Sequence, residues 1–242
     1  MNQLQIEKLV IARVGKEVVH GVDLEITGGQ VHVLMGPNGS GKSTLALGIM
    51  GHPKTETVSG KILFDGVELT NYSTTKRAQA GLFLSMQNIP EIGGVSITNF
   101  LRSAFNATHT EPMSVIDFHK KMQATLKSLG IPGEWGTRPL SEGFSGGEKK
   151  RLEVLQMKIL QPKVAILDET DAGLDIDAMK VVAGAVLDEV ARGMGALVIT
   201  HYPAFLDLLR PQKVSVMMNG AIVASGGAEV GEKIKAEGYM SF

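Results

Sequence analysis

The chain has no cysteine, so neither a disulfide frame nor a thiolate metal site is available to it. No apolar run approaches the roughly 18 residues that a membrane span needs, and direct membrane insertion is therefore not expected. Neither sign of charge is in excess: 24 Lys and Arg stand against 25 Asp and Glu, a net charge of −1. The field that would attract a nucleic-acid backbone or an anionic membrane is missing. The one basic cluster, Lys149-Lys150-Arg151, is too short to be a polyanion footprint. Met1-Asn2-Gln3-Leu4 lacks the charged and apolar regions of a signal peptide. Six histidines are scattered without metal-ligand spacing. What remains is the expectation of a soluble cytoplasmic protein. With 242 residues, 43% of them hydrophobic, it can bury a sizeable core as one large α/β domain with an inserted subdomain.

The first third reads as short strands, residues 4–10, 18–26 and 31–35, punctuated by Gly15, Gly21, Gly28 and Gly29. A helix follows over about 42–50, ended by Gly51 and Pro53. Residues 61–64 and 67–69 flank Asp65-Gly66, a hairpin signal. From about 98 to 160 the pattern is helical. Val115, Phe118, Met122, Leu126 and Leu129 repeat at three- and four-residue steps, with Ser114 as N-cap and Gly130 as stop. Residues 131–142, rich in Pro and Gly, read as a loop. Uniform apolar runs at 164–167 and 196–199 suit strands buried on both faces of a parallel sheet. A helix over about 176–191 joins them as a βαβ unit.

Gly36-Pro37-Asn38-Gly39-Ser40-Gly41-Lys42-Ser43, followed by Thr44, fits the phosphate-binding P-loop pattern in full. It leaves a strand and opens a helix, as the motif requires. Glycines let successive backbone N–H groups turn toward phosphate oxygens, and the helix N-terminus adds partial positive charge. Lys42 is expected to reach the β- and γ-phosphates and Ser43 to hold Mg²⁺. Asp168-Glu169 closes the run 164–167, and the carboxyl ends of parallel strands are where ligands sit. Asp168 can reach the metal there, and Glu169 can polarise an attacking water. Ser145-x-x-Glu148, after Phe144, is a capping box whatever else it does. Its Gly146-Gly147 costs helix stability and makes sense where backbone must approach an anion.

A P-loop, then Ser-Gly-Gly-Glu, then a strand ending in Asp-Glu resembles the ATP-binding-cassette family over nearly the whole chain. The signature is usually Leu-Ser-Gly-Gly-Gln; here it is Phe-Ser-Gly-Gly-Glu. The resemblance implies an α/β P-loop NTPase domain with an antiparallel β subdomain and an inserted helical subdomain. Residues of about 1–97 and 161–242 would form the nucleotide-binding core, and about 98–160 the helical subdomain carrying the signature. It also implies ATP hydrolysis with ATP and Mg²⁺, in an ATP-dependent head-to-tail homodimer. There Ser145, Gly146 and Gly147 of one subunit cap the ATP on the other's P-loop. Gln87, ending the run 82–86, resembles the glutamine that senses metal and water. His201 resembles the histidine that contacts the γ-phosphate. Ala172-Gly173-Leu174-Asp175 resembles the D-loop, although Asp175 also serves as a simple N-cap.

The stretches 143–151, 167–178 and 200–202 are similar to one branch, the ATPase subunits of the Suf iron–sulfur cluster assembly system. That similarity implies SufB/SufD-type scaffold proteins as partners, with no nucleic acid. Residues 88–93, Asn-Ile-Pro-Glu-Ile-Gly, depart from that branch, which tends to have an aromatic and Pro-Val-Glu-Ile-Pro-Gly. The cytoplasmic ATPase subunit of a membrane transporter and a non-catalytic nucleotide-gated module remain alternatives. Family members usually stack adenine on an aromatic in the first hairpin, whereas Ala12-Arg13-Val14-Gly15-Lys16 has none. Stacking is worth about 1–3 kcal/mol, so modest ATP affinity and loose base selectivity are expected. Competition titrations with ATP and GTP test this, and a preference for ATP beyond about a hundredfold contradicts it.

Overall fold

The computed structural model describes residues 2–85, 92–140 and 142–242. In chain order the elements are β1 (Gln3–Arg13), β2 (Lys16–Thr27), β3 (Val31–Met35), α1 (Lys42–Ile49), β4 (Glu56–Phe64), β5 (Val67–Glu68), α2 (Thr74–Ala80) and β6 (Leu82–Ser85). Then come β7 (Ile92–Ser96), α3 (Ile97–Thr108), α4 (Val115–Ser128), β8 (Pro139–Leu140), α5 (Gly146–Leu160), β9 (Val164–Asp168) and α6 (Ile176–Ala191). The chain finishes with β10 (Gly195–Ile199), α7 (Pro203–Leu209), β11 (Lys213–Met218), β12 (Ala221–Gly226) and α8 (Ala228–Glu237). No helix among the described residues is long and apolar enough to cross a membrane.

The central sheet has six strands in the order β12-β11-β3-β10-β9-β6, parallel except for the β11–β12 edge hairpin. Its strands are apolar on both faces because each face has its own core. Val31, Val33, Met35, Ala165, Leu167, Ala196 and Val198 join the cluster that includes α5, α6 and the helical insertion. Leu34, Val164, Ile166, Leu197 and Ile199 join the cluster that includes α1 and the antiparallel sheet β2-β1-β4-β5. The Asp65-Gly66 hairpin forms as expected, with both residues at positive φ (48° and 80°).

The inserted helices follow their expected caps. Ser114 accepts from Asp117 N at 3.1 Å, and Phe118, Met122 and Leu126 are fully buried. Val115, expected on that face, is instead 63% exposed, because it is the first residue of α4. Within 131–142, expected as a loop, the described residues hold a 3-10 turn at Gly133–Thr137 and the strand β8, which pairs with β7. The anchor is apolar, with Trp135 meeting Phe144 edge-on at 4.7 Å and Leu140 buried. Proline and glycine marked the turn, but a single aromatic carries no periodicity to reveal the packing. The elements α2, α7, α8, β11 and β12 were not anticipated. β11 nevertheless pairs directly with the P-loop strand β3, on the side opposite β10.

One buried polar chain runs under the P-loop strand. His32 Nδ1 lies 2.9 Å from Glu25 O, and Nε2 lies 2.8 Å from Ser215 Oγ, itself 2.8 Å from Ser225 Oγ. A carbonyl only accepts, so Nδ1 carries the proton and Ser215 donates to Nε2. Burial pushes the imidazole down to about 4 from 6.5. The stability of a neutral His32 is present above pH 6.5 and is lost as pH falls toward 4, by up to about 3 kcal/mol. Melting curves of wild type and His32→Gln between pH 7 and 4 are expected to converge as pH falls through this window. A constant gap would mean that His32 is not held neutral.

Candidate active site

The P-loop connects β3 to α1, and its shape depends on Gly36. At φ 154°, a Cβ on Gly36 would sit 2.1 Å from Met217 O on the neighbouring β11. Gly39 and Gly41 also take positive φ, 79° and 106°. Lys42 folds back over the loop and donates from Nζ to Gly36 O and Pro37 O, both at 2.9 Å, with Ser40 Oγ at 3.4 Å. Its burial pushes the ammonium pKa down, while the charges of Glu169 and Asp168 push it back up.

Asp168 ends β9 beside the Ser43 side chain. Burial is the largest influence on Asp168 and raises its pKa; Ser43 opposes it. Asp168 Oδ1 is buried without a hydrogen-bond partner. An orphaned carboxylate oxygen beside a P-loop hydroxyl suits a hard divalent cation, which takes one carboxylate and completes its shell with phosphate oxygens and water. Glu169 follows in the left-handed region at φ 52°, and its N–H bonds Ile199 O at 2.9 Å. Its Oε1 lies 3.6 Å from His201 Nδ1.

Asn38, Gly39, Gly41, Lys42, Ser43, Thr44, Glu169 and His201 line one cleft of about 320 Å³, with Arg13 and Val18 at its rim. Ser145, Gly146 and Gly147 do not line it. They open α5 through the full capping box: Glu148 N donates to Ser145 Oγ at 3.3 Å and Ser145 N to Glu148 Oε2 at 2.8 Å. Ser145 and Gly146 are exposed. Asp175 caps α6, accepting from Ala178 N at 2.7 Å. Gln87 lies outside the described residues.

Two buried groups escaped the sequence reading. Asp171 accepts a very short hydrogen bond from the Thr200 hydroxyl, and Thr200 Oγ1 accepts from Tyr202 N at 2.9 Å. Asp171 therefore braces the two residues on either side of His201. Glu153 on α5 accepts from Ser85 Oγ at 2.7 Å and pairs with Lys150 at 3.4 Å. It ties the helix begun by Ser145 to the end of β6, two residues before Gln87. A Glu within a helix is ordinarily solvated, so only burial could reveal it.

The chain resembles known proteins over nearly its full length. The family described as ABC transporter matches residues 19–172. Vegetative protein 296 of Bacillus subtilis (strain 168) is 50% identical over 240 residues, covering 98% of this chain and 92% of that protein. The probable ATP-dependent transporter slr0075 of Synechocystis sp. (strain ATCC 27184 / PCC 6803 / Kazusa) is 44% identical over 240 residues, covering 98% and 94%. The dimeric structure of MJ0796, a bacterial ABC transporter cassette, superposes with a TM-score of 0.81 at 17% identity, covering 93% and 98%, which shows the fold.

Burial raises the Glu153 carboxyl to about 7, against the pull of Lys150 and Ser85. Above pH 4.5 the unfolded chain releases this proton while the folded protein retains it until about 7. The resulting penalty on folding grows across that window to about 3 kcal/mol and is complete above it. Glu153→Gln is therefore expected to gain stability relative to wild type as pH rises from 4.5 to 7.5. Denaturant midpoints at four pH values measure the gap; a gap that does not widen removes the claim.

Proposed function

The chain belongs to the ATP-binding-cassette family of ATPases, and on that premise we propose that it is a cytoplasmic subunit that dimerises on Mg-ATP and drives a conformational change in a SufB/SufD-type scaffold for iron–sulfur cluster assembly. The observation that carries the dimer is a separation within the chain. Gly146, which opens α5, is exposed and Gly147 is half-buried, and neither lines the cleft formed by the P-loop of the same chain. A backbone built to approach an anion, standing away from the chain's own phosphate site, suits the phosphate site of a second copy. MJ0796 is a cassette described as dimeric.

In this reading residues 36–41 and Lys42 hold the phosphates, with Lys42 exchanging loop carbonyls for phosphate oxygens. Ser43, Asp168 and Gln87 would hold Mg²⁺, which would supply positive charge against the negative charge that develops on the phosphates. Glu169 accepts a hydrogen bond from the attacking water and aims its lone pair at the γ-phosphorus. His201, 3.6 Å from Glu169 and braced through Thr200 by Asp171, steadies a γ-phosphate oxygen. Ser145, Gly146 and Gly147 of the partner complete the shell from the far side. Residues of about 1–97 and 161–242 act as the nucleotide core and about 98–160 as the arm that presents the signature. Glu153 and Ser85 join the arm to the core at the strand leading into Gln87.

The scaffold partner rests on the stretches 143–151, 167–178 and 200–202. The name of the Synechocystis relative favours the second reading, the ATPase subunit of a membrane transporter. Co-purification separates the two: a scaffold in the high-speed supernatant supports the first, and recovery with membranes supports the second. Turnover per subunit is expected to rise with protein concentration, and a rate independent of concentration refutes the shared site. Glu169→Gln should lower hydrolysis by about a hundredfold or more while keeping an ATP-bound dimer on size-exclusion chromatography. Lys42→Ala should lose both.

A further inference from the structure

A second ring stands beside His201. Tyr202 is 41% exposed, so packing in the core does not account for an aromatic at this position. Its ring lies against the imidazole of His201, with centroids 4.3 Å apart and planes tilted by 35°. His201 lines the nucleotide cleft next to Glu169, and Tyr202 does not line it.

The two neighbours are held very differently. The backbone under Tyr202 is pinned: its N–H donates to Thr200 Oγ1 at 2.9 Å, and its carbonyl accepts from Phe205 N at 3.1 Å. Pro203 opens α7 and keeps Tyr202 extended, at φ −96° and ψ 109°. Thr200 is itself tied to Asp171, and Phe205 is fully buried. The Tyr202 ring therefore stands on a stem fastened to the end of the sheet on one side and to the core on the other. The imidazole of His201, in contrast, makes no hydrogen bond among the described residues. Its Nδ1 is buried, and Glu169 Oε1 at 3.6 Å is too distant to be a hydrogen-bond partner. A ring turning about two side-chain bonds, with no hydrogen bond on it, is oriented by what it leans on.

We infer that Tyr202 is the positioning residue of His201: its ring backs the imidazole and holds it toward the cleft beside Glu169, ready for a γ-phosphate oxygen. Aromatic pairs at such separations contribute about 0.5–1.5 kcal/mol beyond their burial. An imidazole already oriented when the nucleotide arrives spares the reaction the cost of ordering it. Tyr202 Oη makes no hydrogen bond among the described residues, so the ring acts here and the hydroxyl does not.

The inference rests on reading His201 as a γ-phosphate contact, and the test separates the two. Mg-ATP turnover is measured at a protein concentration that saturates the dimer, for wild type, Tyr202→Leu, Tyr202→Phe, His201→Gln and the double variant His201→Gln/Tyr202→Leu. Tyr202→Leu is expected to lower kcat by about three- to tenfold, with KM for ATP changed by less than about twofold. Tyr202→Phe should recover wild-type kcat to within about twofold, because it keeps the ring. In the double variant the loss should equal that of His201→Gln alone, since a support has no effect once the supported group is gone. The ring-proton NMR signals of His201, assigned by their disappearance in His201→Gln, should move toward those of a free histidine in Tyr202→Leu and stay in place in Tyr202→Phe. Tyr202 is half exposed, and unchanged melting temperatures confirm that the variants fold. The inference fails if Tyr202→Leu turns over as wild type does or leaves the His201 signals in place. It also fails if the two losses multiply in the double variant, which would make Tyr202 act apart from His201, or if Tyr202→Phe loses as much as Tyr202→Leu. If His201→Gln keeps wild-type turnover, or wild type hydrolyses no ATP, the reading of His201 itself falls and the role of Tyr202 with it.

Discussion

The register of three parallel strands is the constraint on which the site depends. Ile199 of β10 pairs with Leu34 of β3 on one side and with Asp168 of β9 on the other. The P-loop, the Asp168-Glu169 turn and the Thr200-His201 turn therefore leave the sheet side by side. Backbone hydrogen bonds carry the alignment past the last pairs: Thr200 N reaches Leu34 O at 3.3 Å, and Glu169 N reaches Ile199 O at 2.9 Å. A slip of one residue would turn every side chain to the opposite face and exchange the two cores. The register of these strands thus brings Lys42, Ser43, Asp168, Glu169 and His201 to the same end of the sheet.

The cleft is electrostatically unfinished. Lys42 is spent on carbonyls of its own loop, and Asp168 keeps one buried oxygen without a partner. A glycine-rich loop at a helix start, a buried cation and an orphaned carboxylate oxygen are complementary to a phosphate chain with a divalent metal. The family assignment is consistent with this arrangement, since ABC ATPase domains bind nucleotide.

Buried polar groups outside the cleft tie its walls together. Asp171 braces Thr200, Glu153 joins α5 to β6 through Ser85, and Gly220 pins the β1–β2 hairpin to Ser40. Each links elements distant in sequence, and each is buried deeply enough that breaking it leaves an unsatisfied group. These contacts are few and directional. They suit the transmission of a shift from one wall to another better than added apolar packing would.

By itself the sequence determined the P-loop, the capping box at Ser145, the paired carboxylates after an apolar run and the alternation of strand and helix. Each is a local pattern whose chemistry depends on spacing along the chain. It could not reveal Asp171, Glu153 or the clamp at Gly220, because an Asp, a Glu and a Gly look the same buried or exposed until long-range pairing places them. The tertiary structure decided those, along with the ordering of residues 133–140 around Trp135. It also decided that Ser145, Gly146 and Gly147 stand apart from the phosphate loop of their own chain. That separation is set by where α5 packs on the sheet, and no spacing in the sequence encodes it.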